Sequence, residues 1–151
     1  MLDRNKSYLE SFNFAFLGLS KLLETKITKS PKLVNLEVTK KCNARCDFCD
    51  YWQTQHEEKL DDYTDLIKKI NPLVVMITGG EPMMRKDIVD IIRQVKSASY
   101  FTYTGIITKG DMLNIDKAKS MYEAGIDQIA ISLDFLGDRH SENRGVNGLW
   151  N

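Results

Sequence analysis

The sequence has no excess of either charge, because 21 lysines and arginines balance 21 aspartates and glutamates. A chain without a broad positive field has no electrostatic basis for binding nucleic-acid backbones, so neither DNA nor RNA is predicted as a partner. The rest of the composition, 42% apolar and 28% charged, is typical of a globular protein that can bury one core.

Long hydrophobic runs are also missing. The most apolar stretch near the amino terminus, residues 12–19, is too short to span a bilayer and has no small-residue cleavage site. The sequence therefore predicts no membrane span, and we expect a cytoplasmic protein.

Cysteine is scarce: the chain has three, Cys42, Cys46 and Cys49, all close together. An odd and clustered set is a poor disulfide framework and favours a metal site in a reducing compartment. Thiolates are soft ligands, so the candidates are an iron–sulfur cluster and zinc. Three thiolates would leave one iron of a four-iron cubane open for a substrate, whereas zinc would need a fourth ligand, for which His56 is available.

Apolar residues recur at steps of three and four between residues 7 and 27, which predicts an N-terminal amphipathic helix. This apolar stripe consists of Leu9, Phe12, Phe16, Leu19, Leu23 and Ile27. We expect the stripe to pack against the rest of the chain. A helix lying on a membrane surface is the alternative, and the polar face is not basic enough to favour it.

After residue 30, short β-rich runs alternate with helical patterns. The strands are predicted at residues 33–38, 73–78, 103–108 and 129–133, and amphipathic helices around 63–70, 88–95 and 115–122. Crossovers of this length imply parallel strands and an α/β fold, either a small open sheet or part of a barrel. We expect two segments, helical residues 1–30 and a domain at 31–151. The polar stretch after the fourth strand, with His140 and Arg144, is expected to be a solvated loop.

Ligands of parallel sheets bind at the carboxyl ends of the strands, and here those ends carry unusual residues. Strand by strand they are the cysteine loop, Gly79-Gly80-Glu81-Pro82, Thr108-Lys109-Gly110 and Ser132-Leu133-Asp134. All four segments are expected to converge on one rim. Because glycine has no Cβ, Gly79 and Gly80 would let backbone carbonyls approach a ligand.

These motifs resemble those of a known family. The pattern Cys42-x-x-x-Cys46-x-Phe48-Cys49 resembles the cluster signature of the radical S-adenosylmethionine (radical SAM) superfamily, and Gly79-Gly80-Glu81-Pro82 is similar to its second motif. The motif style is that of the molybdenum-cofactor biosynthesis enzymes and the SPASM-type maturases. The resemblance implies a partial (βα) barrel, with about four of six strand–helix units present and the core domain truncated at its C-terminus.

The resemblance also implies an enzyme and its cofactors. Cys42, Cys46 and Cys49 would bind three irons of a 4Fe-4S cluster, and S-adenosylmethionine would chelate the fourth. Reductive cleavage of S-adenosylmethionine would then give a 5′-deoxyadenosyl radical that abstracts hydrogen from a substrate. An electron donor such as flavodoxin or ferredoxin is the implied partner.

The family's ligand contacts would fall on six positions. They are Phe48, Gly79, Gly80, Glu81, Ser132 and Asp134. Glu81 would add negative charge near the ligand's ammonium, or simply serve as a carboxylate at a helix N-terminus. Lys109 stands where many relatives have asparagine, and we expect it to be solvated. The alternatives to a radical SAM enzyme are a zinc-stabilised Cys3His binding module and a cluster-binding fragment without turnover.

Overall fold

The structure, a computed structural model, describes residues 4–54, 57 and 59–150. Helices and strands alternate along this part of the chain. Their order is α1 (Arg4–Thr28), β1 (Leu33–Glu37), α2 (Thr64–Ile70), β2 (Val74–Thr78), α3 (Ile88–Ser97), β3 (Tyr103–Thr108), α4 (Ile115–Glu123), β4 (Gln128–Ile131) and α5 (Asp138–Arg144). Single 3-10 turns follow the cysteine loop at Tyr51–Gln53 and the glycine motif at Pro82–Met84.

The four strands form one parallel sheet in the order β1-β2-β3-β4. The predicted α/β class and the parallel pairing are confirmed, and each predicted strand overlaps an observed one. Strand order follows chain order because each strand pairs with the next through a crossover that contains a helix. This succession places all four carboxyl ends along one edge of the sheet.

The hydrophobic core lies between the sheet and the helices α2, α3 and α4. Side chains of β2 alternate, so that Val75 and Ile77 are buried while their neighbours are half-buried. The middle helix, α3, buries four branched side chains against them: Ile88, Ile91, Ile92 and Val95. Burying each such side chain stabilises the fold by about 1.5–3 kcal/mol relative to leaving it exposed. The core therefore holds the crossover helices in place and fixes the loops at the strand ends.

The α1 helix is present as predicted, but the prediction that its apolar stripe packs against the chain is wrong. All six stripe residues are between 52% and 82% exposed. The opposite face packs instead, with the Phe14 ring centroid 5.2 Å from that of Phe101 and with Lys21 fully buried. Lys21 Nζ donates to Ser99 Oγ at 3.1 Å and to the side chain of Asn71. The loops before β2 and β3 offer polar acceptors and the rings of Tyr100 and Phe101, so a mixed polar and aromatic face fits them better than an aliphatic one.

The expectation of a solvated loop after β4 is also wrong. Residues Asp138–Arg144 form α5, which ends at Gly145 in the left-handed conformation, and His140 is buried. The helix is polar, so its sequence carries no apolar period that could have predicted it. None of the helices in the described ranges is long and apolar enough to cross a membrane.

Candidate functional site

The four strand ends meet around one cleft, as the motif positions predict. Its lining combines the cysteine loop with residues from every strand end: Cys46, Phe48, Cys49, Thr78, Gly79, Gly80, Glu81, Ile107, Thr108, Lys109, Ser132 and Arg144. The glycine motif and the cysteine loop are over thirty residues apart in sequence. The parallel sheet brings them together at its carboxyl edge, where such folds bind ligands.

The cysteine loop presents its thiols with different exposure. Cys42 is half-buried, Cys46 is buried and Cys49 is exposed, and none is in a disulfide. Backbone hydrogen bonds order the loop: the amide of Ala44 donates to Cys42 Sγ at 3.4 Å, and the amide of Cys49 donates to the carbonyl of Cys46 at 3.2 Å. Amide donors of this kind stabilise thiolates and tune iron–sulfur clusters.

The two metal chemistries considered from the sequence need different arrangements of the thiols. In the described ranges no three Cys, His, Asp or Glu side chains converge tightly enough to hold a single metal ion. A structural zinc ion needs its ligands about 2.0–2.3 Å from one point, whereas each cysteine of a cubane binds a different iron. His56, the fourth zinc ligand considered from the sequence, lies outside the described residues.

Arg144 gives the cysteine loop a positive neighbour. Burial raises the pKa of the Cys46 thiol above its usual value, and the Arg144 guanidinium acts in the opposite direction. The Arg144 carbonyl also accepts the amide of Arg45 at 3.0 Å, so α5 is tied to the loop between two of the cysteines. A cation beside buried thiols favours the thiolate form that binds iron.

The two glycines of the second motif lie against the backbone of the cysteine loop. A Cβ on Gly80 would lie 2.3 Å from the Lys41 carbonyl oxygen, and one on Gly79 would lie 2.2 Å from that of Thr39. Gly79 also has a φ of +150°, which other residues rarely adopt. The amide of Gly80 donates to the Thr39 carbonyl, and that of Glu81 to the Lys41 carbonyl, both at 2.8 Å. The glycines thus let the second motif dock directly on the residues that precede Cys42.

Glu81 is buried at the centre of the site. One carboxylate oxygen accepts the Met83 amide at 3.0 Å and the Thr108 hydroxyl at 2.7 Å, while the other accepts the Lys109 amide at 3.1 Å. The contact with Met83 is the helix-terminal role considered from the sequence, here at a 3-10 turn. The contacts with Thr108 and Lys109 join the end of β2 to the end of β3.

Lys109 was expected to be solvated, and this is wrong, since it is only 5% exposed. Its Nζ lies 2.8 Å from Asp111 Oδ1 and 3.4 Å from Glu81 Oε2, and it donates to the side-chain oxygen of Asn43. Asn43 in turn donates to Asp111 Oδ2 at 2.7 Å. This Lys109 network links the cysteine loop, the glycine motif and the end of β3. Because one ammonium lies between two carboxylates, the network has a net negative charge at one end of the cleft.

Of the remaining predicted contacts, Phe48 and Ser132 line the cleft, and Asp134 lies outside its lining. The Phe48 ring is 63% exposed, with the Arg144 guanidinium 5.7 Å from its centroid. Ser132 is half-buried, and its amide donates to the Thr108 carbonyl at 2.9 Å. Asp134 is held by Arg144 through two hydrogen bonds of 2.7 and 2.9 Å, which hold the pKa of its carboxyl below the usual value.

Two residues of the site, Lys109 and Arg144, were not chosen from the sequence. Lys109 could have been found from its position, because it directly follows a strand at the ligand-binding edge. Arg144 had no such signal, since it lies thirteen residues beyond the end of β4 and reaches the site only through α5.

Comparisons with known proteins identify the family. The family model described as "Radical SAM superfamily" matches residues 36–151. Over 125 residues the chain is 36% identical to the GTP 3′,8-cyclase of Lactiplantibacillus plantarum, covering 76% of this chain and 37% of that protein. It is 28% identical over 139 residues to the GTP 3′,8-cyclase of Aquifex aeolicus, covering 83% and 43%. The chain thus spans about two fifths of the length of these curated relatives.

Solved structures share the fold at lower identity. Streptococcus suis SuiB bound to S-adenosylmethionine matches with a TM-score of 0.66 and 18% identity, over 97% of this chain and 35% of that chain. BtrN, in complex with AdoMet and 2-DOIA, matches with a TM-score of 0.56 and 18% identity, over 67% of this chain and 45% of that chain. These likenesses agree with a partial (βα) barrel. With the family model matched from β1 onward and the family motifs assembled at one sheet edge, the chain belongs to the radical SAM superfamily.

Proposed function

We propose that this chain carries the part of a radical SAM enzyme that binds the cofactors and generates the radical, and that Cys42, Cys46 and Cys49 hold its 4Fe-4S cluster. The observation that carries the proposal is the cleft that joins Cys46 and Cys49 to the three other strand ends. When bound, the cluster supplies the electron that cleaves S-adenosylmethionine to a 5′-deoxyadenosyl radical, which abstracts a hydrogen atom from the substrate.

The charges around the cleft suit S-adenosylmethionine, a ligand with an ammonium, a sulfonium and a carboxylate. The net negative Lys109 network lies at the glycine motif, where we place the ammonium. Glu81 acts there through its charge and by fixing the turn, because its oxygens already accept hydrogen bonds from the protein. Backbone carbonyls of Gly79 and Gly80 are left as the direct acceptors for the ammonium.

The opposite side of the cleft suits the nucleoside. The exposed Phe48 ring offers a face on which adenine can stack, and the Arg144 guanidinium beside it adds a planar cation. Ser132 contributes a hydroxyl at the end of β4 for the ribose. Asp134 is the second acceptor, oriented by the two hydrogen bonds from Arg144.

The relatives give a first substrate to test, and the chemistry requires an electron donor. Identity to GTP 3′,8-cyclases at 36% makes GTP the first substrate to test. An electron donor such as flavodoxin or ferredoxin is needed because each cleavage of S-adenosylmethionine consumes an electron. A reducing, cytoplasmic environment is the one in which such a cluster and its free thiols persist.

Anaerobic reconstitution with iron and sulfide tests the cluster. We expect a brown protein with about four irons per chain, and loss of that iron in each of the variants Cys42→Ala, Cys46→Ala and Cys49→Ala, because two anchors cannot hold a cubane. Asp47→Ala, in the same loop and exposed, is the matched control that should bind a full complement. A colourless protein with one zinc ion, or a cysteine variant that retains four irons, would contradict the assignment.

Reduction of the reconstituted protein with dithionite tests the chemistry. With S-adenosylmethionine present we expect 5′-deoxyadenosine, and none from the three cysteine variants. Full iron with no 5′-deoxyadenosine would instead establish the alternative, a cluster-binding chain without turnover. Addition of GTP then asks whether 5′-deoxyadenosine formation depends on that nucleotide.

A further inference from the structure

The outward face of α1 carries an apolar stripe that nothing in the described part of the chain covers. Its members are Leu9, Phe12, Phe16, Leu19, Leu23 and Ile27, each more than half exposed. At about 100° per residue they fall within roughly 80° of the helix surface. The face that packs on the body, at Phe14, Gly18, Lys21 and Thr25, lies nearly opposite. The stripe therefore points away from the protein.

The spacing of the stripe is that of a coiled-coil seam. Five of its six residues, Leu9 to Leu23, follow the alternating three and four steps of a heptad repeat, with Phe and Leu in the two core positions. A helix that binds a membrane surface instead has a broad apolar face flanked by lysines and arginines. Here the flanking positions carry one lysine, Lys26, beside the uncharged Asn13, Ser20 and Leu22. The pattern thus favours a second helix over a lipid surface.

We propose that α1 pairs with α1 of a second copy of this chain, antiparallel, across this stripe. In that orientation Phe12 of each copy faces Leu23 of the other, and Phe16 faces Leu19, so each of the four central layers pairs one large ring with one smaller side chain. The two end layers pair Leu9 with Ile27. A parallel pair would instead stack like on like in every layer.

The area available is enough for a dimer. At about 190 Å² for an extended residue of this size, the exposed fractions of the six side chains amount to roughly 700 Å² of largely apolar surface per copy. Specific interfaces of standard size bury about 800 Å² per partner, so the stripe with its flanking residues reaches that range. Two-fold pairing is also the commonest symmetry among oligomers.

The position of α1 makes the pairing compatible with the proposed site. α1 packs on Asn71, Ser99 and Phe101, which precede β2 and β3, so it lies at the amino ends of the strands. The cleft lies at their carboxyl ends. Pairing through α1 therefore leaves the cleft open to ligand and electron donor.

Sedimentation equilibrium of the 151-residue chain tests the proposal independently of any cluster. We expect a dimer at micromolar concentration, and we expect Leu19→Glu to weaken dimerisation at least 100-fold by placing a carboxylate in the seam. Leu133→Glu is the matched control, because Leu133 is 56% exposed against 57% for Leu19 and lies beside the open edge of β4. It should leave the dimer intact. Dissociation by Leu133→Glu alone would show that the sheet edge associates and would overturn the proposal.

The orientation has its own test. In the antiparallel pair Asn13 of one helix lies next to Ser20 of the other, so Asn13→Glu with Ser20→Lys should tighten the dimer and Asn13→Glu with Ser20→Glu should loosen it. Equal effects of the two double variants would exclude the antiparallel arrangement.

The other possible occupants of the stripe give different results. If the stripe binds a membrane surface, the wild-type chain will stay monomeric and float with anionic phospholipid vesicles, and Leu19→Glu will abolish the flotation. A monomer whose unfolding free energy falls by several kcal/mol in Leu19→Glu has the stripe covered within its own chain. Either result would overturn the proposal.

Discussion

Lys109 shows how much of the site depends on one buried charge. Its side chain and that of Glu81 are each 2% exposed, and the ammonium is shared between Glu81, Asp111 and Asn43. A buried carboxylate without a counter-charge is costly, whereas the intact pair adds little net stability. Removing one member of the network should therefore lower the free energy of unfolding far more than the intact network raises it.

Lys109→Met should destabilise the metal-free protein by about 3–5 kcal/mol, because it leaves the Glu81 carboxylate buried without its cation. Urea unfolding followed by circular dichroism measures this. The matched control is Lys68→Met, which removes an exposed ammonium 3.9 Å from Asp65 and should cost less than about 1 kcal/mol. Adding Glu81→Gln to Lys109→Met should recover part of the loss. Equal costs for the two lysine variants would show that the network is not coupled to folding.

At the scale of elements, the site depends on how the loops after β1 and β2 are docked. Both loops leave the sheet at the same edge, and two 2.8 Å backbone hydrogen bonds continue the strand pairing past Thr78. A position without a side chain is needed there because the two backbones are in contact. The glycines thus serve the geometry of the cysteine loop before any ligand binds.

Gly80→Ala should lower the iron content after reconstitution and cost roughly 1–3 kcal/mol of stability, because its Cβ would collide with the Lys41 carbonyl and displace the loop at Cys42. Iron analysis and urea unfolding measure both effects. Gly148→Ala is the control for iron binding: no atom lies within 4 Å of its Cβ position, and full iron binding is expected, although its φ of +70° strains an alanine. A Gly80→Ala protein with four irons and unchanged stability would disprove the close docking.

The docking of α5 depends on the pair of Asp134 and Arg144, and it should respond to acid. Hydrogen bonds from Arg144 hold the pKa of Asp134 below its usual value of 3.8. A carboxyl with a lowered folded pKa contributes stability above its unfolded pKa, and loses it as pH falls through the folded value. The contribution is therefore complete at neutral pH and disappears below pH 3.8.

Asp134→Asn should accordingly be less stable than wild type near pH 7, and the difference between them should be smaller near pH 2. Urea unfolding at the two pH values gives the difference directly. Asp65→Asn, at an exposed surface pair, should show little difference at either pH. A difference between Asp134→Asn and wild type that stays the same at both pH values would mean that α5 is docked by packing alone.

At the scale of the whole molecule, the sheet separates the sites of the two functions proposed above. Its carboxyl edge carries the cleft with the cysteines, and its amino edge carries α1 with the outward stripe. Since parallel strands all run the same way, everything that follows a strand is gathered at one end and everything that precedes a strand at the other. Association through α1 and radical chemistry at the cleft can therefore coexist in one protein.

Much of this organisation could be predicted from the sequence because it depends on short-range patterns. Periods of two and of 3.6 residues located the four strands, three crossover helices and α1. The capping side chain of Asn114 and the left-handed Gly125 bound α4 as their residue types indicate. The cysteine spacing and the glycine motif could also be recognised in the sequence, because the residues of each motif are neighbours in one loop.

What only the tertiary structure decided are the contacts between distant residues. Lys109 contacts Asn43, 66 positions away in sequence, and the Arg144 carbonyl contacts Cys46, 98 positions away. The burial of Lys109 and of Cys46 therefore depends on elements that the local sequence does not describe. The face that α1 turns inward was decided in the same way. Sequence periodicity identifies an apolar stripe, but the surface available at the amino ends of β2 and β3 is polar and aromatic, and a helix packs with the face that satisfies the groups it covers.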